Sequence, residues 1–128
     1  MANILIVDDD LDIAEIFGEL LESEGHQVRS ARTGQEGLDM LRVAPLPSVL
    51  VLDVEMPVLG GPGMAHQMLL HDAGEDQIPI ILVSGHGDLP RIAAQMGTPY
   101  FLRKPGSVDA FLSMIAKALR ERVPPASA

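Results

Sequence analysis

The sequence predicts an α/β fold, with five parallel strands in one sheet and helices packed on both faces. Three observations predict it. Short continuous apolar runs recur along the chain, segments with apolar residues at three- and four-residue spacing lie between them, and the two kinds alternate five times. Continuous runs suit strands buried on both faces, and strand–helix alternation suits a parallel sheet with right-handed crossovers.

Three runs are strong strand signals: Ile4 to Val7, Val49 to Val54, broken only by Asp53, and Ile80 to Val83. Gln27 to Ala31 and Tyr100 to Leu102 are weaker ones. After the first run, Ile13, Ile16, Phe17, Leu20 and Leu21 predict one apolar helical stripe, and Gly25 a stop. Thr33 with Glu36 reads as a capping box for a short helix whose Gly34, Leu38 and Leu41 share a face and which ends before Pro45 and Pro47. A third helix is expected from Pro62, turning Met64, Met68 and Leu69 inward. Asp88 is expected to cap a fourth that buries Ile92, Ala93 and Met96. A last helix starts at Ser107 and presents Phe111, Leu112, Ile115 and Leu119. Residues 1–123 form one domain on this reading, and 124–128, "PPASA", read as a flexible tail or the start of a linker. The seven methionines read as core filler.

Composition narrows the function. Eighteen acidic against nine basic residues give a net charge of −9, which repels a phosphate backbone, so no direct nucleic-acid binding is expected. The absence of cysteine excludes disulfides and thiolate metal sites. No apolar stretch approaches membrane-spanning length, and a cytoplasmic location is expected, with no membrane partner.

Chemistry gathers at the carboxyl ends of the strands, where open parallel sheets bind ligands. The first strand ends in Asp8, Asp9 and Asp10, the third in Asp53, the fourth in Ser84, and the fifth in Lys104 before Pro105. Clustered carboxylates repel and call for a cation, and an all-oxygen ligand set favours Mg²⁺ or a similar hard ion. Mg²⁺ takes only one or two carboxylates and leaves another free to act as a nucleophile toward phosphorus. A transferring phosphoryl group then needs positive charge and donors around it, which Lys104 and Ser84 would supply.

Four stretches in order, "ILIVDDD", "VLDVEMPVLGG", "ILVSGHGD" and "YFLRKP", resemble the receiver domain of two-component response regulators over almost the full length. The resemblance implies a flavodoxin-like doubly wound (βα)5 sandwich with strand order 2-1-3-4-5. It implies that Asp53 accepts a phosphoryl group from a histidine kinase or a histidine phosphotransfer protein, in a reaction that needs Mg²⁺ or Mn²⁺. Asp8, Asp9, Asp53 and the backbone carbonyl of Glu55 would hold the metal. Lys104 would pair with Asp53 and then with the phosphoryl group, Ser84 and Phe101 would form the switch, and the Lys104–Pro105 peptide would be cis. Asp10 matches no ligand position and is expected to favour the start of the first helix.

Several positions depart from the family pattern. The stretch before Lys104 is short and carries "MGTP" where a Gly-Ala pair is common, so the fourth helix is expected to be short or irregular. Gly106 stands where a bulky apolar residue is frequent, and Glu55 and His86 are expected to tune the lifetime of the phosphoryl group. Output would go through a protein target or a covalently linked domain. Two other classes compete: a Mg²⁺-dependent phosphohydrolase of the haloacid dehalogenase type, and a receiver-like binding domain without the chemistry. The first usually has a second Asp two positions after its nucleophile, where this chain has Glu55, and a cap domain for which there is no material. The second is opposed by the full set Asp8, Asp9, Asp53, Ser84 and Lys104.

Overall fold

The computed structural model describes residues 2–43, 45–54, 78–85, 88–103 and 106–125. Its elements are β1 (Asn3–Val7), α1 (Leu11–Ser23), β2 (Gln27–Ala31), α2 (Gly34–Leu41), β3 (Val49–Asp53), β4 (Ile80–Ser84), α3 (Leu89–Met96), β5 (Tyr100–Arg103) and α4 (Val108–Glu121). All five strands run parallel in one sheet of order β2-β1-β3-β4-β5. Each apolar run is one of these strands. The helix expected from Pro62, with Met64, Met68 and Leu69, lies outside the described residues.

Alternation along the strands divides the core into two layers. Leu5, Val7, Leu50, Leu52, Ile80 and Leu82 pack on one face with Leu38 and Leu41 of α2 and Leu89 and Ala93 of α3. Ile4, Ile6, Val49, Val51, Ile81 and Val83 pack on the other with α1 and α4. Every residue of β3 and β4 is buried, which is why their sequences are apolar without alternation. Phe17 of α1 and Phe111 of α4 stack at 4.2 Å and join the two helices over that second face.

Local chemistry sets the helix ends. Asp10 caps α1, its carboxylate accepting from the amides of Asp12 and Ile13 at 3.1 and 3.2 Å. The Thr33 hydroxyl accepts from the Glu36 amide at 3.0 Å, and the Ser107 hydroxyl does the same for Ala110 at 3.0 Å. Asp88 occupies the cap position of α3 but makes no side-chain cap bond. At the end of α3 the backbone turns left-handed at Gly97, with φ 76°, a conformation that suits glycine. The helix is eight residues long, in line with the shortened sequence there.

The stripe on α1 needs correcting. Ala14, Gly18 and Leu21 form the buried line, while Ile16, expected inward, is 54% exposed. A Cβ on Gly18 would stand 3.7 Å from Val28 Cγ1, so two small residues let the helix lie close to the sheet. Ile13, Phe17 and Leu20 then flank that line half-buried, and Ile16 falls outside it. Ile92 and Met96 of α3 are likewise half-buried against the core, with Leu89 and Ala93 beneath.

Candidate functional site

The sheet order reverses at β1, whose neighbours are β2 on one side and β3 on the other. The crevice beyond the carboxyl ends of β1 and β3 is therefore the place where an open α/β sheet can receive a ligand. Asp8 follows β1 directly and Asp53 is the last residue of β3. With Asp9 they bring carboxylate oxygens within 4.8 Å of one another. Register explains the meeting: Val7 pairs with Leu52, so the residues just beyond the pair stand side by side at the sheet's edge.

The site is built, not merely acidic. Asp8 and Asp53 are 3% and 6% exposed, whereas Asp9 faces solvent. The Asp8 amide donates to Ala31 at 3.0 Å, extending the ladder with β2, and its carboxylate accepts from the Asp10 amide at 2.9 Å. The Val54 amide donates to Val83 at 3.1 Å, which holds the turn after Asp53 against β4. Two inward carboxylates and an outer one form a cluster that a small divalent cation can enter from solvent. The donor set is all oxygen and suits Mg²⁺, whose ligands stand about 2.0–2.1 Å from the ion.

Ser84 ends β4, buried, in register with Arg103 of β5. Phe101 is half-buried and packs on the α2–α3 face, in register with Leu82, two residues before Ser84. Ser84 and Phe101 therefore belong to the same face of neighbouring strands. Lys104, Pro105, Glu55 and His86 lie outside the described residues, as does the Lys104–Pro105 peptide. Asp10 is spent on the α1 cap.

A groove of about 400 Å³ lies between α1 and α4, lined by Ile13, Phe17, Leu102, Gly106, Val108 and Phe111 among others. Its walls are almost wholly apolar, so they offer no set of groups for phosphoryl chemistry. The acidic cluster remains the reactive candidate. Two residues that sequence reasoning passed over hold the start of β5. The buried Thr98 hydroxyl donates to Ile80 at 2.5 Å and accepts from the Tyr100 amide at 3.3 Å. Its sequence signal is the departure "MGTP", where Thr98 stands close before β5. Tyr100 is wholly buried, and its hydroxyl reaches Glu121 and Val123.

Among the described residues, no helix is long and apolar enough to cross a membrane.

A family model for the response regulator receiver domain matches residues 4–116. The phosphoglycerate transport system transcriptional regulatory protein PgtA of Salmonella typhimurium is 34% identical over 122 residues, covering 94% of this chain and 28% of PgtA. The tetrathionate response regulatory protein TtrR of the same organism is 36% identical over 126 residues, covering 93% of this chain and 57% of TtrR. The chain thus spans between about a quarter and three fifths of these relatives. A receiver domain of a response regulator from Clostridium thermocellum superposes with a TM-score of 0.82 at 28% identity, covering 95% of this chain and 97% of that one. With a matching family model over most of its length and a β2-β1-β3-β4-β5 sheet ending in three close carboxylates, the chain belongs to the response regulator receiver domain family, the phosphoacceptor switches of two-component signalling.

Proposed function

We propose that Asp53 is the phosphoacceptor of this receiver domain, and that a histidine kinase or histidine phosphotransfer protein is the donor. The observation that carries this reading is the meeting of Asp8, Asp9 and Asp53 within 4.8 Å at the switch point of the sheet. A carboxylate oxygen of Asp53 attacks phosphorus in line with the departing imidazole nitrogen. The P–N bond breaks as the acyl phosphate forms, and the imidazole leaves with its electron pair and is protonated. Asp8, Asp9, Asp53 and the Glu55 carbonyl would hold Mg²⁺ or Mn²⁺, which supplies charge neutralisation for the phosphoryl oxygens.

The chain's own residues do the rest. Asp8, fixed by the Asp10 amide, keeps its carboxylate turned to the mouth. Ser84 supplies a hydroxyl donor and Lys104 a cation to the bound phosphoryl group, and Phe101 repacks against the same face as Ser84. Glu55 and His86 set how readily water removes the group. Phosphorylation adds up to about two negative charges at one point, enough to bias a two-state arrangement of these residues. The domain assists its own phosphorylation and dephosphorylation and is not a turnover enzyme. It works in the cytoplasm and passes its state to a protein target or a linked output domain.

The test is labelling by acetyl phosphate in Mg²⁺, followed by intact mass. One phosphoryl group is expected on the native chain, none on Asp53→Asn, and none in EDTA. Persistent labelling of Asp53→Asn would refute the assignment, and steady hydrolysis of a generic phosphate ester would favour the phosphohydrolase reading instead.

A further inference from the structure

The far end of β5 carries a second constellation, remote from the carboxylates. Tyr100 opens β5 and is wholly buried; its hydroxyl donates to Glu121 Oε1 at 3.1 Å and accepts from the Val123 amide at 3.3 Å. The residue between those two contacts, Arg122, has φ 54° and ψ 44°, a left-handed conformation that side chains rarely adopt. It is held there twice, by its amide on Ala118 at 2.8 Å and by its Nε on the Leu119 carbonyl at 3.1 Å. Pro125 beyond it is buried. A non-glycine residue persists in that conformation only where its surroundings fix it, so the segment 121–125 is fastened to the sheet.

Tyr100 and Phe101 are consecutive on a strand of four residues, and their side chains enter opposite cores. A planar peptide unit joins them, so a shift of β5 that accompanies repacking of Phe101 beside Ser84 also moves Tyr100. The two Tyr100 contacts lie at or beyond the long end of the usual hydrogen-bond ranges, where a further few tenths of an ångström weakens them steeply.

Resting on the proposed phosphoacceptor role of Asp53, we infer that Tyr100 is a latch on residues 121–125 that loosens when the phosphoryl site is occupied. The end of α4 and the segment after it are then a surface whose mobility reports the state of Asp53. Tyr100 acts as a positioning residue and has no part in phosphoryl transfer.

Amide hydrogen exchange at Val123, followed by NMR, tests this in the native chain and in Tyr100→Phe, each alone and with Mg²⁺ and beryllium trifluoride as the phosphoryl mimic. In the native chain, protection at Val123 is expected to fall about 5-fold with the mimic, the worth of one net hydrogen bond. Tyr100→Phe should start at the lower protection and show no further change, while the amides of β1 and β3 keep theirs. Glu121→Ala, at an exposed position, provides a second variant: it removes the acceptor that anchors the Tyr100 hydroxyl but leaves the hydroxyl itself for Val123, so a smaller loss is expected. Equal protection at Val123 in the native chain and both variants would overturn the latch. So would an unchanged native Val123 once shifts at Val54 and Ser84 show the mimic bound. Absence of those shifts would instead overturn the phosphoacceptor reading, and with it the coupling, while the comparison without the mimic would still decide whether the latch exists.

Discussion

Replacing Asp53 by Asn should stabilise the chain when no divalent ion is present. Carboxylates 4.8 Å apart repel by about 3.5 kcal/mol at an effective dielectric near 20 and by about 0.9 kcal/mol in water. The buried Asp8–Asp53 pair lies nearer the first condition, and the exposed Asp9 nearer the second. The amide keeps the size of the side chain and an acceptor oxygen, so it removes charge with little loss of packing. Since the Asp8 carboxylate also accepts from the Asp10 amide, which offsets part of the repulsion, the expected gain in EDTA at neutral pH is about 1–3 kcal/mol. That is a rise in melting temperature of roughly 3 to 15 °C for a chain of this length. Mg²⁺ reverses the order of benefit: at ten times its dissociation constant it stabilises the native chain by about 1.4 kcal/mol, and Asp53→Asn by less than half of that. Urea titration with EDTA and with Mg²⁺ measures both terms. If Asp53→Asn is no more stable than the native chain in EDTA and gains as much from Mg²⁺, the three carboxylates do not form one electrostatic cluster.

Gly18→Ala should raise stability by about 0.5–1 kcal/mol in urea unfolding, because the position is helical and, among the described residues, the new methyl meets only Val28 at an ordinary 3.7 Å. Thr98→Val should cost about 0.5–1.5 kcal/mol, since it removes the hydroxyl's bonds to the Ile80 carbonyl and from the Tyr100 amide with little change of shape; no loss in the same assay would count against that bridge. Burial, and then the Glu121 carboxylate, hold the Tyr100 hydroxyl above the usual phenolic range, although its bond from Val123 pulls the other way. The folded state therefore keeps this proton while the unfolded chain loses it above about pH 10. Stability from this group is complete below that pH and declines as pH rises toward the folded value, so Tyr100→Phe should show a flatter alkaline limb in melting temperature against pH.

The element order, the strand positions and three helix caps are determined by local sequence. Continuous apolar runs place the strands within a residue of their observed ends because a strand buried on both faces has no polar side to interrupt the run. Asp10, Thr33 and Ser107 announce their helices because each cap is satisfied by an amide two or three residues on. That Asp8, Asp9 and Asp53 lie at strand ends is likewise legible in the chain. Their approach to within 4.8 Å is not a local property: it follows from β1 and β3 pairing in one register across more than forty residues of sequence. The rotation of α1 about its axis was also beyond periodicity, since Ile13, Ile16, Phe17, Leu20 and Leu21 describe a stripe wider than the line of contact. Small residues at Ala14 and Gly18 chose that line once the sheet was there to meet them. The Tyr100 contacts to Glu121 and Val123 carry no sequence signal at all, because their partners are some twenty residues away and meet only when α4 folds back over β5. Among the described residues, sequence determined what each segment would become, through interactions among near neighbours; tertiary structure decided which distant polar groups would share a place, because only the packed sheet fixes those distances.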